Sequence, residues 1–126
     1  MAEARAETTI EKSADEIWAT VGNFGDLSWM QGVESCTLNG DDRTLAMHGM
    51  EIVERQLRRD EANRSLTYGI VSGVPVGHHQ ATITVTPKGD TTSVVTWDVD
   101  TDDNMAEGMK GAYQGALDAL KKQLEG

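Results

Sequence analysis

Glu54, Tyr68 and His79 place an acid, a phenol and an imidazole on three neighbouring β-rich segments. If they converge, they form a proton-transfer set: a carboxyl group in an apolar hollow has its pKa raised by desolvation and donates near neutrality, while an imidazole accepts. The same residues have a plainer reading. Tyr68 then serves as a core aromatic whose hydroxyl reaches a partner, His79 is hydrogen-bonded at a cavity rim, and Glu54 pairs with Arg55 or Arg58. Trp29, Ala81, Trp97, Met109 and Tyr113 complete the expected ligand-binding set, with Trp97 both filling and lining the hollow and Met109 and Tyr113 facing it from a helix.

Other chemistry finds little support. His78 and His79 are adjacent in a strand and so point to opposite faces, and no HExxH, CxxC pair or carboxylate cluster accompanies them; no metal and no cofactor are expected. The single Cys36 has no nearby His to activate it and no partner for an internal disulfide. Asp98, Asp100, Asp102 and Asp103 lack the turn Gly and closing Glu of a calcium loop, and Ser72 to Gly77 has glycines but no following helix or Lys to hold a phosphate. With 11 Lys and Arg against 21 Asp and Glu, the net charge of -10 repels nucleic acid and anionic lipid. No apolar run reaches a membrane span and the N-terminus lacks a signal-peptide pattern, so a cytoplasmic protein without stable membrane insertion is expected. Oligomeric state is not legible.

The elements that must position these groups are readable in outline. At 126 residues, one domain able to bury a real core is the default. A first strand covers residues 5 to 11, and Ser13 with Glu16 has capping-box spacing, opening a helix striped by Ile17, Trp18 and Val21. Gly22 and Gly25 break that helix and permit a short second turn over Leu27 to Met30, giving a helix pair. From Val33 to Asp100, six β-rich runs are separated by tight turn signals, which join antiparallel neighbours. His79, Ala81, Ile83 and Val85 share one face of a strand, as do Val95, Trp97 and Val99 of the next. In the fourth strand, Ile52, Glu54 and Gln56 alternate with Val53, Arg55 and Leu57, so parity leaves its inner face open; a polar group points inward there or a bulge intervenes.

After Asp103-Asn104, the expected cap, apolar residues from Met105 to Leu124 recur at helical spacing over a rod of about 30 Å. Its stripe must meet the sheet's apolar face. Gly108, Gly111 and Gly115 weaken its first half, which implies close backbone approach or local compliance. The fold class is therefore α+β: a curved antiparallel sheet wrapped around a long C-terminal helix.

This order of elements resembles the helix-grip superfamily of START domains, Bet v 1, plant abscisic acid receptors and polyketide cyclase/dehydrase-like proteins. The resemblance rests on Ser13-Ala14-Asp15-Glu16-Ile17-Trp18, on Trp29 to Val33, on Val53-Glu54-Arg55 and on Val94-Val95-Thr96-Trp97, and it spans residues 1–126 as one domain. It implies seven strands with the helix pair between the first two, and a cavity for a small hydrophobic or aromatic ligand, lipid or polyketide-like. Against the abscisic acid receptors, the matching strand words put Glu54 at an inward pocket acid, His79 at a pocket tyrosine and Trp97 at a pocket glutamate. The chain lacks their long loop after the third strand, where only His48-Gly49-Met50 stands, and their inward lysine. The expected function is ligand binding. One alternative is a cyclase or dehydratase in which Glu54 and His79 perform acid–base chemistry and Tyr68 orients the substrate, and another is a protein-interaction module with a filled cavity.

Overall fold

The protein is described by a computed structural model covering residues 2–126. Ser13 caps the first helix as its spacing implies: its Oγ accepts from the Glu16 backbone N–H at 3.2 Å and donates to Glu16 Oε1 at 3.1 Å. That helix, α1 (Ala14–Val21), follows β1 (Ala2–Ile10), which starts earlier than residue 5. In place of a second helix, Leu27 to Met30 close a single turn, Met30 N–H donating to the Leu27 carbonyl at 2.9 Å. The expected helix pair is thus one helix and one turn, because the Asp26 carboxylate takes the Ser28 N–H and sets a local turn instead.

Six strands follow: β2 (Val33–Asn39), β3 (Asp42–Met47), β4 (Met50–Asp60), β5 (Ser65–Ser72), β6 (His79–Pro87) and β7 (Ser93–Thr101). They pair antiparallel in the order β1-β7-β6-β5-β4-β3-β2, so β1 closes onto the last strand of the meander. Alternation in β6 and β7 holds throughout: His79, Ala81, Ile83, Val85, Val95, Trp97 and Val99 are all buried. The ambiguous fourth strand resolves in favour of Ile52, Glu54 and Gln56 facing inward, and a bulge also intervenes. Gln56 pairs with Tyr68 and Arg58 with Thr67, which leaves Leu57 out of register and exposed.

The long helix α2 (Ala106–Glu125) lies on the concave face, with Ala116, Leu117 and Leu120 buried in the core. From Gln114 onward it is fastened to the free edge of β1 by side chains. Gln114 accepts from the Glu7 N–H at 3.2 Å and donates to the Glu7 carbonyl at 3.0 Å, Lys121 donates to the Thr9 carbonyl at 2.6 Å, and Glu125 accepts from the Glu11 N–H at 2.9 Å. These bonds satisfy backbone groups that an edge strand otherwise leaves open. The N-terminal end is held differently from the expected Asp103-Asn104 cap: the Asp102 carbonyl receives the Met105 and Ala106 N–H groups. The Asp102 carboxylate meanwhile accepts from Gly77 and His78 at 2.7 and 3.0 Å, tying the β5–β6 loop to the start of α2.

The glycines of α2 are not there for close packing. A Cβ built on Gly108, Gly111 or Gly115 meets no neighbouring atom within 4 Å. Only the entropic cost of an interior helical glycine remains. Gly111→Ala is expected to stabilise the protein by about 0.5–1 kcal/mol, read as a shift of the urea midpoint; a destabilised variant would show that the backbone there needs glycine.

Candidate ligand-binding site

Between α2 and the middle of the sheet lies a cavity of about 190 Å³. Its floor comes from Leu45 and Ile52 on β3 and β4 with Tyr68 and Trp97 on β5 and β7, and its roof from Met109, Ala112 and Tyr113 on α2. Met30, Met47 and Ile70 line it further and are only partly buried, so the mouth is apolar.

The polar content is concentrated in one ion pair. Arg43 and Glu54 stand directly opposite in the β3–β4 ladder, which the two-residue turn His48-Gly49 sets in register. Both turn residues have positive φ, 51° and 78°, as a tight hairpin of this kind requires. Arg43 Nε donates to Glu54 Oε1 at 2.8 Å and Nη2 lies 2.7 Å from the same oxygen, with the two side chains only 6% and 13% exposed. Nη1 donates to the Phe24 carbonyl at 3.1 Å, and the guanidinium lies 4.0 Å from the Phe24 ring centroid and 5.0 Å from that of Tyr68. Burial pushes the Glu54 carboxyl pKa up, and Arg43 opposes that shift.

A second set of groups braces the roof. Trp97 and Tyr113 stack with centroids 4.1 Å apart and planes 3° from parallel. Trp97 Nε1 donates to the Tyr68 hydroxyl at 3.1 Å, and the Tyr113 hydroxyl meets His79 Nε2 at 3.0 Å. Burial holds the His79 pKa down at about 4, helped by the nearby His78, so the ring is neutral at pH 7. Burial likewise pushes the Tyr68 and Tyr113 phenols up, keeping both protonated.

Glu54, Tyr68, Trp97, Met109 and Tyr113 are therefore brought together around the cavity. Trp29, His79 and Ala81 are not among the residues that line it. Trp29 packs behind Trp97 with ring centroids 5.8 Å apart, Ala81 is sealed in the core, and His79 stands behind Tyr113. Glu54 pairs with neither Arg55, which binds Asp42, nor Arg58. Arg43 is the residue that sequence reasoning missed, although counting back from the His48-Gly49 turn sets position 43 against 54 and 42 against 55. Cys36 is partly buried, and burial raises its thiol pKa, the wrong direction for a nucleophile.

A helix-grip domain with a small cavity beneath its C-terminal helix is thus defined by the fold and by these contacts. The chain matches, over residues 1–125, the family described as polyketide cyclase / dehydrase and lipid transport, and it belongs to that family. Comparison with curated proteins gives no match. Among solved structures, it is similar to an uncharacterized protein from Bacillus thuringiensis, at 28% identity and a TM-score of 0.92, covering 99% of this chain and 100% of that one. It is similar also to XoxI from Bacillus cereus, at 29% identity and 0.91, covering 98% and 95%. Norcoclaurine synthase from Thalictrum flavum, solved with dopamine and hydroxybenzaldehyde, shares the fold at 20% identity and a TM-score of 0.77, covering 98% and 86%. Among the described residues, no helix is long and apolar enough to cross a membrane.

Two outcomes follow from this geometry. Arg43→Met leaves a buried carboxylate without its partner and is expected to cost about 3–5 kcal/mol in urea unfolding, whereas Arg43→Met with Glu54→Leu recovers most of that loss. An equal loss in both variants would mean that the pair's attraction contributes little. Second, an unfolded His79 titrates near 6.5 and the folded one near 4, so its contribution to stability is complete above about pH 6.5 and declines as pH falls toward 4. The raised Glu54 carboxyl acts in the opposite sense over acidic pH, so His79 must be followed directly: the His79 Cε1 proton is expected to titrate with a midpoint near 4 by NMR, and a midpoint near 6.5 would contradict the burial.

Proposed function

We propose that this chain binds a small apolar or aromatic molecule in the cavity beneath α2. The observation that carries this reading is the coexistence, in one pocket, of apolar walls and a buried ion pair. Such concave, mostly apolar sites with a few fixed polar groups are the usual form of a ligand pocket. Family membership supports the same class of role. A cytoplasmic setting suits the single unpaired Cys36.

Size narrows the guest. A cavity of about 190 Å³ is smaller than most ligand pockets, which run from about 300 Å³, yet an apolar space of about 150 Å³ takes up benzene. One ring fits; an acyl lipid or a fused polyketide requires the glycine-rich half of α2 to yield. The acid–base alternative is weaker, because Glu54 Oε1 is committed to Arg43 and His79 does not line the cavity but stands behind Tyr113 and Tyr68. An interaction module with a filled hollow accords less well with the open space under α2.

Thermal shift with toluene and indole tests the binding reading, using Ala112→Trp, an exposed roof position on α2, as the blocked control. Wild type is expected to gain stability with at least one of these rings, and the folded Ala112→Trp variant to lose the gain. Identical melting with and without every ring, in both proteins, would sink the proposal and favour the interaction module.

A further inference from the structure

The ion pair at the cavity wall is asymmetric, and the asymmetry selects a ligand chemistry. Both Arg43 contacts fall on Glu54 Oε1. Among the described residues, the sealed side-chain polar atoms without a partner are Trp29 Nε1 and His79 Nδ1, so Oε2, which receives no hydrogen bond, is not sealed. Glu54 lines the cavity, and its second oxygen is the one that no hydrogen bond engages. Arg43, which lines the same cavity, is more heavily used: its guanidinium is almost fully buried, three of its five N–H groups are directed at Glu54 Oε1 and the Phe24 carbonyl, and the Phe24 and Tyr68 rings lie beside it. Trp97 Nε1 and the Tyr68 and Tyr113 hydroxyls are likewise engaged with one another or with His79.

Resting on the binding reading above, we infer that the site takes a single-ring guest carrying a hydrogen-bond donor, a phenol or similar hydroxyl or N–H, aimed at Glu54 Oε2, and that it rejects ligand carboxylates. The wall offers an acceptor, and the one cation beside it is already charge-matched by Glu54. A donor on the ring gains a charge-assisted hydrogen bond in a low-dielectric space, whereas a carboxylate meets a like charge whose counter-ion is already matched. A ring with no donor leaves Oε2 facing apolar surface, a loss that sites built around a polar group do not tolerate.

NMR titration with p-cresol, toluene and p-toluate separates the outcomes. Wild type is expected to bind p-cresol at least tenfold tighter than toluene, with p-toluate weakest. The Arg43→Met, Glu54→Leu double variant, its fold checked by thermal melting, is expected to retain toluene and lose the preference for p-cresol. Equal affinity for p-cresol and toluene in wild type would overturn this inference while leaving the binding reading intact. Tightest binding of p-toluate would overturn it too, because the pair would then act as an anion receptor. A preference for p-cresol that persists in the double variant would move the acceptor elsewhere and overturn the assignment to Glu54. Binding of none of the three would remove the inference together with the reading beneath it.

Discussion

An arginine and a glutamate face each other across two antiparallel strands, on the side of the sheet that water does not reach. Removing two charges from water is expensive, and their mutual attraction offsets that cost only where geometry is good and the remaining polar atoms are satisfied. Here the requirements propagate outward. The Phe24 carbonyl must sit where Arg43 Nη1 can reach it, which fixes the chain just after α1, and the Phe24 and Tyr68 rings flank the guanidinium. Glu54 must face inward, which settles the parity of β4, and the β4–β5 register shifts both at Val53/Glu54 and around Leu57. The free oxygen of Glu54 resists being sealed under apolar side chains, which gives a physical reason for space to remain beside it.

That space is roofed by a helix with two unlike halves. Towards its C-terminus, α2 is bonded by Gln114, Lys121 and Glu125 to the edge of β1 and anchored in the core by Leu117 and Leu120. Towards its N-terminus, it has no side-chain cap and carries glycines beside which a Cβ would find open space. Tyr113 stands at the boundary, stacked on Trp97 and held by His79. The arrangement gives one end bonded along β1 and one end held by Asp102 and the buried Ala106, with the cavity under the latter.

What could be read from the sequence follows the range of the interactions involved. The Ser13–Glu16 cap, the alternation of β6 and β7 and the stripe of α2 depend on neighbours a few residues apart, and each appears in the structure where its pattern put it. The second helix did not, because Asp26 preferred a local turn to propagating one. The inner face of β4 was undecidable from its own residues, since its polar inward member is explained only by a partner on another strand. Arg43 illustrates the limit well: its register with Glu54 is arithmetic once the His48-Gly49 hairpin is accepted, but its burial depends on Phe24 and Tyr68, far away in the chain. His79 and Ala81 had the right strand face, yet a face is wider than a cavity, and depth along it is set by where α2 crosses.

Family membership and fold leave catalysis, transport and simple binding on one architecture, so the distinction rests on the space beneath α2 and the groups that border it. The most direct measurement is a crystal structure under xenon pressure, since xenon enters apolar room without needing any particular chemistry. The expected result is a xenon atom bounded by Tyr68, Trp97, Met109 and Tyr113, with the Arg43–Glu54 contact intact beside it. A hollow collapsed around Met109 and Tyr113, with no xenon under the helix, would contradict the account.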